Sequence, residues 1–330
     1  MISLESQVLE RHLSFFDDKS VLFAGGISDN FPQTLASKCQ SIQIWSCYFD
    51  YARTKSAVNF SVEFQGQADL IVYYWTKNKQ EVNFQLLQLL AQASIGQEIL
   101  IIGENRCGVR SVEKTLEPYG EIAKIDSARR CGLYHFLLQN KPHFELKNFW
   151  KTYQHPTLQD LTIYSLPGVF SSAELDTGTE LLLSTIDNKI KGKVLDLGCG
   201  AGVIGSMLKK RAPNAQITMT DIHAMALESA RKTLSENQLQ GEVYASDVFS
   251  DIERKFDLII SNPPFHDGID TAYRAVTELI TQAKWHLNQG GELRIVANAF
   301  LPYPELLRQH FGDYEVVAQT GKFKVYSVRN

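Results

Sequence analysis

The sequence predicts an α/β protein with two tandem Rossmann-like domains, each a mostly parallel, doubly wound sheet that ends in an antiparallel hairpin. Two observations support this prediction. Apolar strand patterns alternate with helical patterns along the 330 residues, which is typical of parallel sheets covered by helices. The same order of elements also occurs twice, and each half closes on a pair of apolar strands.

The internal repeat can be followed strand by strand. The first strand of each half runs into a glycine turn, as "SVLFAGGISDNFP" in one half and "KVLDLGCGAGVIG" in the other. "IQIWSCYFDYA" then parallels "ITMTDIHAMAL", and "ADLIVYYWTKNKQEV" parallels "FDLIISNPPFHDGID". The closing strands are "GQEILIIGE" and "CGLYHFLLQ" in one half, "GGELRIVAN" and "KFKVYSVRN" in the other. We therefore expect two copies of one fold, joined by the stretch 141–161.

The two copies differ at positions that could hold a ligand. Phe23 stands where the second half has Asp196, and Ser46 stands where it has Asp221. "YWTK" likewise stands in place of "NPPF", while the apolar strand pattern is kept. We therefore expect a degenerate domain at residues 1–155 and a working site in the domain at residues 156–330.

Composition argues against several classes of protein. With 44% hydrophobic residues and a net charge of -4, the chain resembles neither a disordered protein nor a general nucleic-acid binder. Its start lacks a signal-peptide pattern, and no apolar run reaches the roughly 18 residues of a membrane span, so we expect a cytoplasmic location. The five cysteines form no CxxC pair and the histidines show no ligand spacing, which disfavours a disulfide framework and a metal site.

A glycine turn follows the strand "KVLDL". Gly198, Gly200 and Gly202 allow positive φ and leave bare backbone for a ligand, and the following helix offers unpaired N–H groups. Gly200, Gly202 and Gly205 also fit the dinucleotide pattern GxGxxG. The glycines alone therefore leave both a nicotinamide cofactor and a different nucleoside cofactor open.

Three acids favour a nucleoside without a pyrophosphate. Asp196 lies within the strand, where it would face an amino or cationic group and would repel a pyrophosphate. Asp221 ends the next strand, in the place to accept hydrogen bonds from ribose hydroxyls. Asp247 follows the next strand, where we expect it to accept a bond from an adenine amino group while Val248 and Phe249 make apolar contacts. Capping of its own turn is the alternative role for Asp247.

At these residues the chain resembles the seven-stranded class of S-adenosylmethionine-dependent methyltransferases. "VLDLGCGAG", "MTDIH" and "ASDVF" match the three ligand-binding strand ends of that family in order and spacing. The resemblance implies S-adenosyl-L-methionine as the cofactor, with Asp196 near its methionine part, Asp221 at the ribose and Asp247 at the adenine. Ile222, Val248 and Asn262 are expected to lie against the same ligand.

Two prolines follow an apolar strand in "SNPPFHDG", where they would break a helix or a central strand. In the same family, "NPPF" resembles the signature of enzymes that methylate a planar nitrogen. The carbonyls of Asn262 and Pro263 can accept the two hydrogens of an amino group, so that its lone pair points at the methyl carbon. Phe265 would stack on the planar substrate, and Pro264 and His266 would line it. An ordinary loop with a core aromatic is the alternative.

The whole chain also resembles the guanine-N2 methyltransferases of small-subunit ribosomal RNA, in which a degenerate half precedes a working one. "LPGVFSSAELDTGTELLL" between the halves and "NPPFHDG" carry this resemblance. It implies methyl transfer to the exocyclic N2 of one guanosine in 16S rRNA, within the small ribosomal subunit or its precursor. It also implies that the first domain aids folding and RNA recognition. We expect a monomer, because the duplication already supplies a pseudo-dimer.

Four other classes of protein are alternatives to this function. The sister enzymes of large-subunit 23S rRNA share the same plan. Protein glutamine methyltransferases use a similar motif but normally have tyrosine at the position of Phe265. The intact acids and "NPPF" oppose a non-catalytic RNA-binding module, and Asp196 opposes a nicotinamide oxidoreductase.

Phosphate contacts to RNA require basic residues. Arg129 and Arg130, just before the last strand of the first half, are the pair that we expect to reach RNA; solvated surface charge is the alternative. Arg106, Arg110, Lys114, Lys209, Lys210 and Arg211 are further candidates. Asp176 or Thr177 is expected to cap the helix in the stretch between the halves. The resemblance implies that this stretch also borders the cofactor and substrate pocket, which is the alternative role for Asp176.

Overall fold

The computed structural model describes residues 2–263 and 269–330, and side chains throughout these ranges except at residues 269–273. The chain divides into two compact units, Met1–Phe149 and Trp150–Asn330.

This division lies six residues before the expected boundary at residue 155. The strand Lys151–Tyr153 pairs with the strand Ile163–Ser165 and therefore belongs to the second unit.

The first unit alternates strands and helices, with short 3₁₀ turns between some of them. Its elements are α1 (Leu4–Leu9), β1 (Ser20–Gly25), α2 (Phe31–Thr34), β2 (Ser41–Ser46), α3 (Phe49–Thr54), β3 (Val58–Phe60), β4 (Leu70–Tyr74), α4 (Lys79–Gln92), β5 (Glu98–Glu104), α5 (Val112–Leu116), β6 (Gly120–Ala128) and β7 (Cys131–Leu138).

The second unit repeats this order after a small additional hairpin. Its elements are β8 (Lys151–Tyr153), β9 (Ile163–Ser165), α6 (Thr177–Leu183), β10 (Lys193–Leu197), α7 (Val203–Arg211), β11 (Gln216–Asp221), α8 (Ala224–Glu236), β12 (Glu242–Ala245), β13 (Phe256–Ser261), α9 (Ile269–Ala283), β14 (Leu287–Asn298), α10 (Tyr303–Phe311), β15 (Glu315–Gln319) and β16 (Phe323–Arg329).

The two large sheets have the same strand order. It is β3-β2-β1-β4-β5-β7-β6 in the first unit and β12-β11-β10-β13-β14-β16-β15 in the second. Five strands of each sheet pair in parallel, and the last two form an antiparallel hairpin. The predicted fold class, two tandem doubly wound sheets that each end in a hairpin, is confirmed.

The strand order reverses between β10 and β13. The chain leaves β10 toward β11 and β12 on one side, and returns to β13 on the other side. In open α/β sheets, ligands bind outside the carboxyl ends of the strands at such a reversal. The glycine turn follows β10 and Asn262 follows β13, so the fold brings both predicted motifs to this point.

The strands at this reversal are buried on both faces, as expected for a parallel sheet covered by helices. Val194 and Leu195 of β10 and Ile259 and Ile260 of β13 are fully buried. Among the described residues, no helix combines the length and the apolar character that a membrane span requires.

A two-residue turn between β6 and β7 carries unusual backbone geometry. Ala128 pairs with Cys131, and the connecting Arg129 and Arg130 have φ of +53° and +62°. Two positive φ values are typical of a type I′ turn, which favours Asn-Gly because the left-handed region costs an L side chain about 1 kcal/mol or more. Arg129 and Arg130, which are both exposed, therefore lie in a strained turn of the first sheet.

Replacing this pair by Asn-Gly should relieve the strain. We expect Arg129→Asn with Arg130→Gly to stabilise the β6–β7 hairpin by about 1 kcal/mol. Hydrogen exchange followed by mass spectrometry would show slower exchange in β6 and β7, with unchanged exchange in the β15–β16 hairpin as the internal control. Equal or faster exchange in β6 and β7 would contradict the strain.

Candidate active site

The glycine turn after β10 presents open backbone. Gly198 and Gly200 have φ of +73° and +53°. A Cβ added at Gly198 would meet nothing within 4 Å, and one added at Gly200 would meet only Phe170, at 3.9 Å. The N–H groups of Gly198 and Cys199 donate to the carbonyl of Thr220, at 2.8 and 3.0 Å, which fixes the turn against β11. These two glycines can therefore lie directly against a ligand.

The corresponding turn of the first unit is closed. Gly25 also has a positive φ, of +88°, but a Cβ there would lie 2.2 Å from the carbonyl oxygen of Tyr74. Phe23, in the place of Asp196, is fully buried and packs against Phe16 and Phe31. The first turn is thus filled by its own backbone and side chains.

Gly202 has a different surrounding from the other two glycines. It precedes α7, and a Cβ there would lie 3.0 Å from the Cα and Cβ of Ala230 in α8. The structure therefore gives Gly202, expected from the sequence to bind cofactor, a part in the close packing of two helices.

Asp196 is fully buried in β10 and faces the start of α7. Its Oδ2 accepts a hydrogen bond from the Gly205 N–H at 2.8 Å. Its Oδ1 is buried and has no hydrogen-bond partner among the residues described. Burial raises the pKa of this carboxyl to about 7, and the charge of Asp221 acts in the same direction. A cationic or amino group at Oδ1 would offset the cost of burying this acid.

Asp221, at the end of β11, binds the same turn. Its Oδ2 accepts from the Gly200 N–H at 2.9 Å, and its Oδ1 accepts from the His223 N–H at 3.0 Å. Burial raises its pKa, although these backbone bonds lower it. Ile222, half-buried, follows directly. The structure thus brings Asp221 next to Gly200.

Asp247 is held by an ion pair. Arg274 of α9 approaches it at 3.2 Å and also pairs with Glu278 at 3.0 Å. Val248 and Phe249 are buried in the core of the second unit, and the Phe249 ring stacks on His286 at 4.3 Å. The apolar contacts of these two side chains in the structure are therefore core contacts.

Asn262 follows β13 and has its amide group anchored on one side. Its Nδ2 donates to Asp176 Oδ2 at 3.0 Å and to Thr179 Oγ1 at 2.8 Å. Its Oδ1 is buried and has no hydrogen-bond partner in the described part of the chain. Pro263 is buried beside it. The structure therefore leaves the carbonyl oxygen of Asn262, and not its amide nitrogen, available as an acceptor.

Five of the expected residues are not part of the arrangement described above. Pro264, Phe265 and His266 fall outside the described residues. Arg129 and Arg130 belong to the first unit, at the tip of the β6–β7 hairpin.

Thr179 and Arg274 contact predicted site residues but are not themselves among the residues that the sequence predicts. Thr179 lies three positions after the capping Asp176, and this spacing was the available signal. Arg274 gave no such signal, because its contact with Asp247 depends on how α9 packs.

Two family models match the chain. The "Methyltransferase small domain" matches residues 160–327, and its N-terminal counterpart matches residues 6–153. A protein of Haemophilus influenzae is 94% identical over 330 residues and all of both chains, and one of Pasteurella multocida is 72% identical over 329 residues and all of both chains. Both are named "Ribosomal RNA small subunit methyltransferase C".

A solved structure has the same fold. It is a T. thermophilus 16S rRNA N2 methyltransferase (RsmC) in complex with AdoMet and guanosine, with a TM-score of 0.85 and 22% identity, covering 99% of this chain and 92% of that one.

The raised pKa of Asp196 predicts a pH-dependent stability. An unfolded aspartate has a pKa near 3.9, whereas Asp196 has one of about 7 in the folded chain, so folding takes up a proton between these values. This contribution is present below about pH 4 and is lost as the pH rises toward 7. The native chain should therefore lose about 2 to 3 kcal/mol of unfolding free energy from pH 5 to pH 8 through this carboxyl. Asp196→Asn should not lose it, so the variant gains that amount relative to the native chain over this range.

Urea unfolding at the two pH values would measure this gain. The matched control is Asp187→Asn, because Asp187 is exposed and also accepts a backbone N–H, from Lys189. An equal effect of Asp196→Asn at both pH values would show that the carboxyl is not protonated in the folded chain at pH 5.

Proposed function

This chain belongs to the methyltransferase small domain family, and we propose that it transfers a methyl group from S-adenosyl-L-methionine to the exocyclic N2 of a guanosine in 16S rRNA. The relatives that are 94% and 72% identical over their full lengths, both named small-subunit ribosomal RNA methyltransferases, support the substrate. The observation that carries the chemistry is the unpaired carbonyl oxygen of Asn262 beside an open glycine turn.

The residues present fit this cofactor. The open backbone at Gly198 and Gly200 and the unpartnered Oδ1 of Asp196 suit a ligand with an amino group and no pyrophosphate. Asp221 and Ile222, at the end of β11, would meet the ribose. Asp247 and Val248 remain our candidates for the adenine end. Gly202 allows the start of α7 to pack closely against Ala230 of α8. When bound, S-adenosyl-L-methionine supplies a sulfonium methyl group, whose bond to sulfur breaks as its bond to N2 forms.

Asn262 and Pro263 prepare the amino group for this transfer. The lone pair of a guanine N2 is delocalised into the ring, so the nitrogen is a poor nucleophile. Asn262 Oδ1 and the Pro263 carbonyl would accept its two hydrogens and favour a pyramidal nitrogen with its lone pair free. The proton becomes acidic as the new bond forms and leaves to water, so no charged base is needed. We assign Phe265 to stacking on the base, with Pro264 and His266 beside it.

The RNA must present an unpaired base, because the guanine amino group is hidden in a helix. We assign phosphate contacts to Arg129 and Arg130. Their strained turn supports this role, since a turn selected for stability alone would favour Asn-Gly. We also propose that the substrate is the small subunit or its precursor, that the chain acts as a monomer, and that it acts in the cytoplasm.

The test is transfer of a labelled methyl group from S-adenosyl-L-methionine to purified small subunits, large subunits and free rRNA, with nucleosides identified by mass. N2-methylguanosine in 16S rRNA is the expected product. Label in 23S rRNA alone would move the chain to the sister enzymes, and label in protein alone would indicate glutamine methylation.

Two substitutions should separate catalysis from cofactor binding. We expect Asn262→Ala to lower kcat about 100- to 1000-fold while the cofactor Kd changes little, because the lost acceptor acts on the amino group. Asp221→Ala should instead weaken cofactor binding, because it removes the ribose acceptor and the bond to Gly200. Single-turnover kinetics and calorimetric titration would measure both, and near-normal turnover by Asn262→Ala would contradict the catalytic assignment.

The arginine pair can be tested apart from the chemistry. We expect Arg129→Glu with Arg130→Glu to weaken 16S rRNA binding about 10- to 100-fold at moderate salt, with a shallower salt dependence and an unchanged cofactor Kd. Filter binding across a salt series would measure this. Lys189→Glu with Lys191→Glu makes the same change in net charge at two other exposed sites. Equal losses in the two double variants would show a general charge effect instead.

A further inference from the structure

The amide of Asn262 is bound in one orientation. A carboxylate can only accept hydrogen bonds, so the Nδ2 group must face Asp176, and Oδ1 must point the other way. Thr179 Oγ1 takes the second Nδ2 hydrogen. The contacts on Nδ2 therefore decide which atom the amide offers to a substrate.

The two residues that make these contacts are themselves fixed. Asp176 caps α6 by accepting the Thr179 N–H at 2.8 Å through the same Oδ2 that faces Asn262. Thr179 is buried, and α6 continues through the fully buried Leu182 and Leu183. Just beyond the helix, Arg294 of β14 donates to the Thr185 carbonyl at 2.7 Å. The anchor of the amide thus belongs to the packed core of the second unit.

The first unit contains the same contact without an amide. Ser3 caps α1, and Ser6, three positions later, bonds Tyr74 at 2.9 Å. Tyr74 ends β4, in the position that corresponds to Asn262. In both units, a hydroxyl of the helix before the first strand of the large sheet (α1 or α6) therefore contacts the residue at this position, Tyr74 or Asn262. The second unit adds the carboxylate of Asp176 at the helix cap.

We propose that Asp176 and Thr179 are positioning residues that hold the Asn262 amide so that Oδ1 faces the target amino group. This inference rests on the proposed function. It assigns Asp176 a second role beside capping, one that a serine or asparagine cap would not fulfil, because only the carboxylate forbids the flipped amide.

Exchanging the two side chains is the sharpest test. Asp176→Asn keeps a good cap but lets the Asn262 amide turn either way, so we expect kcat to fall about 10- to 100-fold with little change in the cofactor Kd. Asn262→Asp places two carboxylates in contact and should also be slow. The double variant restores one amide facing one carboxylate, and we expect it to be at least about tenfold faster than Asn262→Asp alone.

Thr179 provides a second, independent pair of variants that tests the positioning role. Thr179→Val removes the acceptor at nearly constant shape and should lower kcat, whereas Thr179→Ser keeps the hydroxyl and should restore most of it. Ser6→Ala is the matched control, because it removes the corresponding hydroxyl of the first unit and should leave kcat unchanged. If Asp176→Asn lowers cofactor affinity and thermal stability together, its lower kcat has a structural cause. The comparison of Thr179→Val with Thr179→Ser then tests the positioning role.

The failures of the two proposals are distinguishable. If the native chain forms N2-methylguanosine and both Asp176→Asn and Thr179→Val turn over at the native rate, the positioning role is wrong and the proposed function stands. Equal rates of Thr179→Val and Thr179→Ser, or no gain in the exchange variant, would also overturn the positioning role. If the native chain forms no N2-methylguanosine, both proposals fall.

Discussion

The turn after β10 keeps its shape because two carboxylates from neighbouring strands bind its backbone. Asp196 accepts from Gly205 at the start of α7, and Asp221 accepts from Gly200 at the tip of the turn. A glycine-rich turn, whose only other side chains are the buried Cys199 and Ala201, needs such external acceptors. The acids assigned to a ligand are therefore also the acids that build its site, and burial raises the pKa of both. A positively charged ligand would offset the cost of burying these two acids.

The repeat in the sequence was sufficient to predict the fold. Strand periodicity and the order of the glycine turns survive in both halves because the packing of a buried parallel sheet requires them, and the family resemblance was confirmed by matches across both units. The motif residues Asp196, Gly198, Gly200, Asp221 and Asn262 lie in or directly after the carboxyl ends of β10, β11 and β13. This placement follows from topology, because the strand order reverses between β10 and β13.

Contacts between distant elements could not be read from the sequence. Thr179 touches Asn262 across 83 positions, and Arg274 reaches Asp247 across 27. Such pairs depend on how a helix is rotated against a sheet, which no local pattern encodes. The strain at Arg129 and Arg130 was hidden for a related reason, since "ARRC" carries none of the usual turn signals. The packing role of Gly202 likewise depends on Ala230, in the next helix.

The closed turn of the first unit limits what protein engineering could do with it. Aspartates at positions 23 and 46 would copy Asp196 and Asp221 of the second unit into the first. The backbone at Gly25 would still lie against the carbonyl of Tyr74, so no space would open for a second ligand. A designer would have to move the end of β4, and with it the contact between Tyr74 and Ser6 that ties α1 to the sheet. The packing of the first unit thus leaves no space for a ligand at this turn, and point substitutions alone cannot change that.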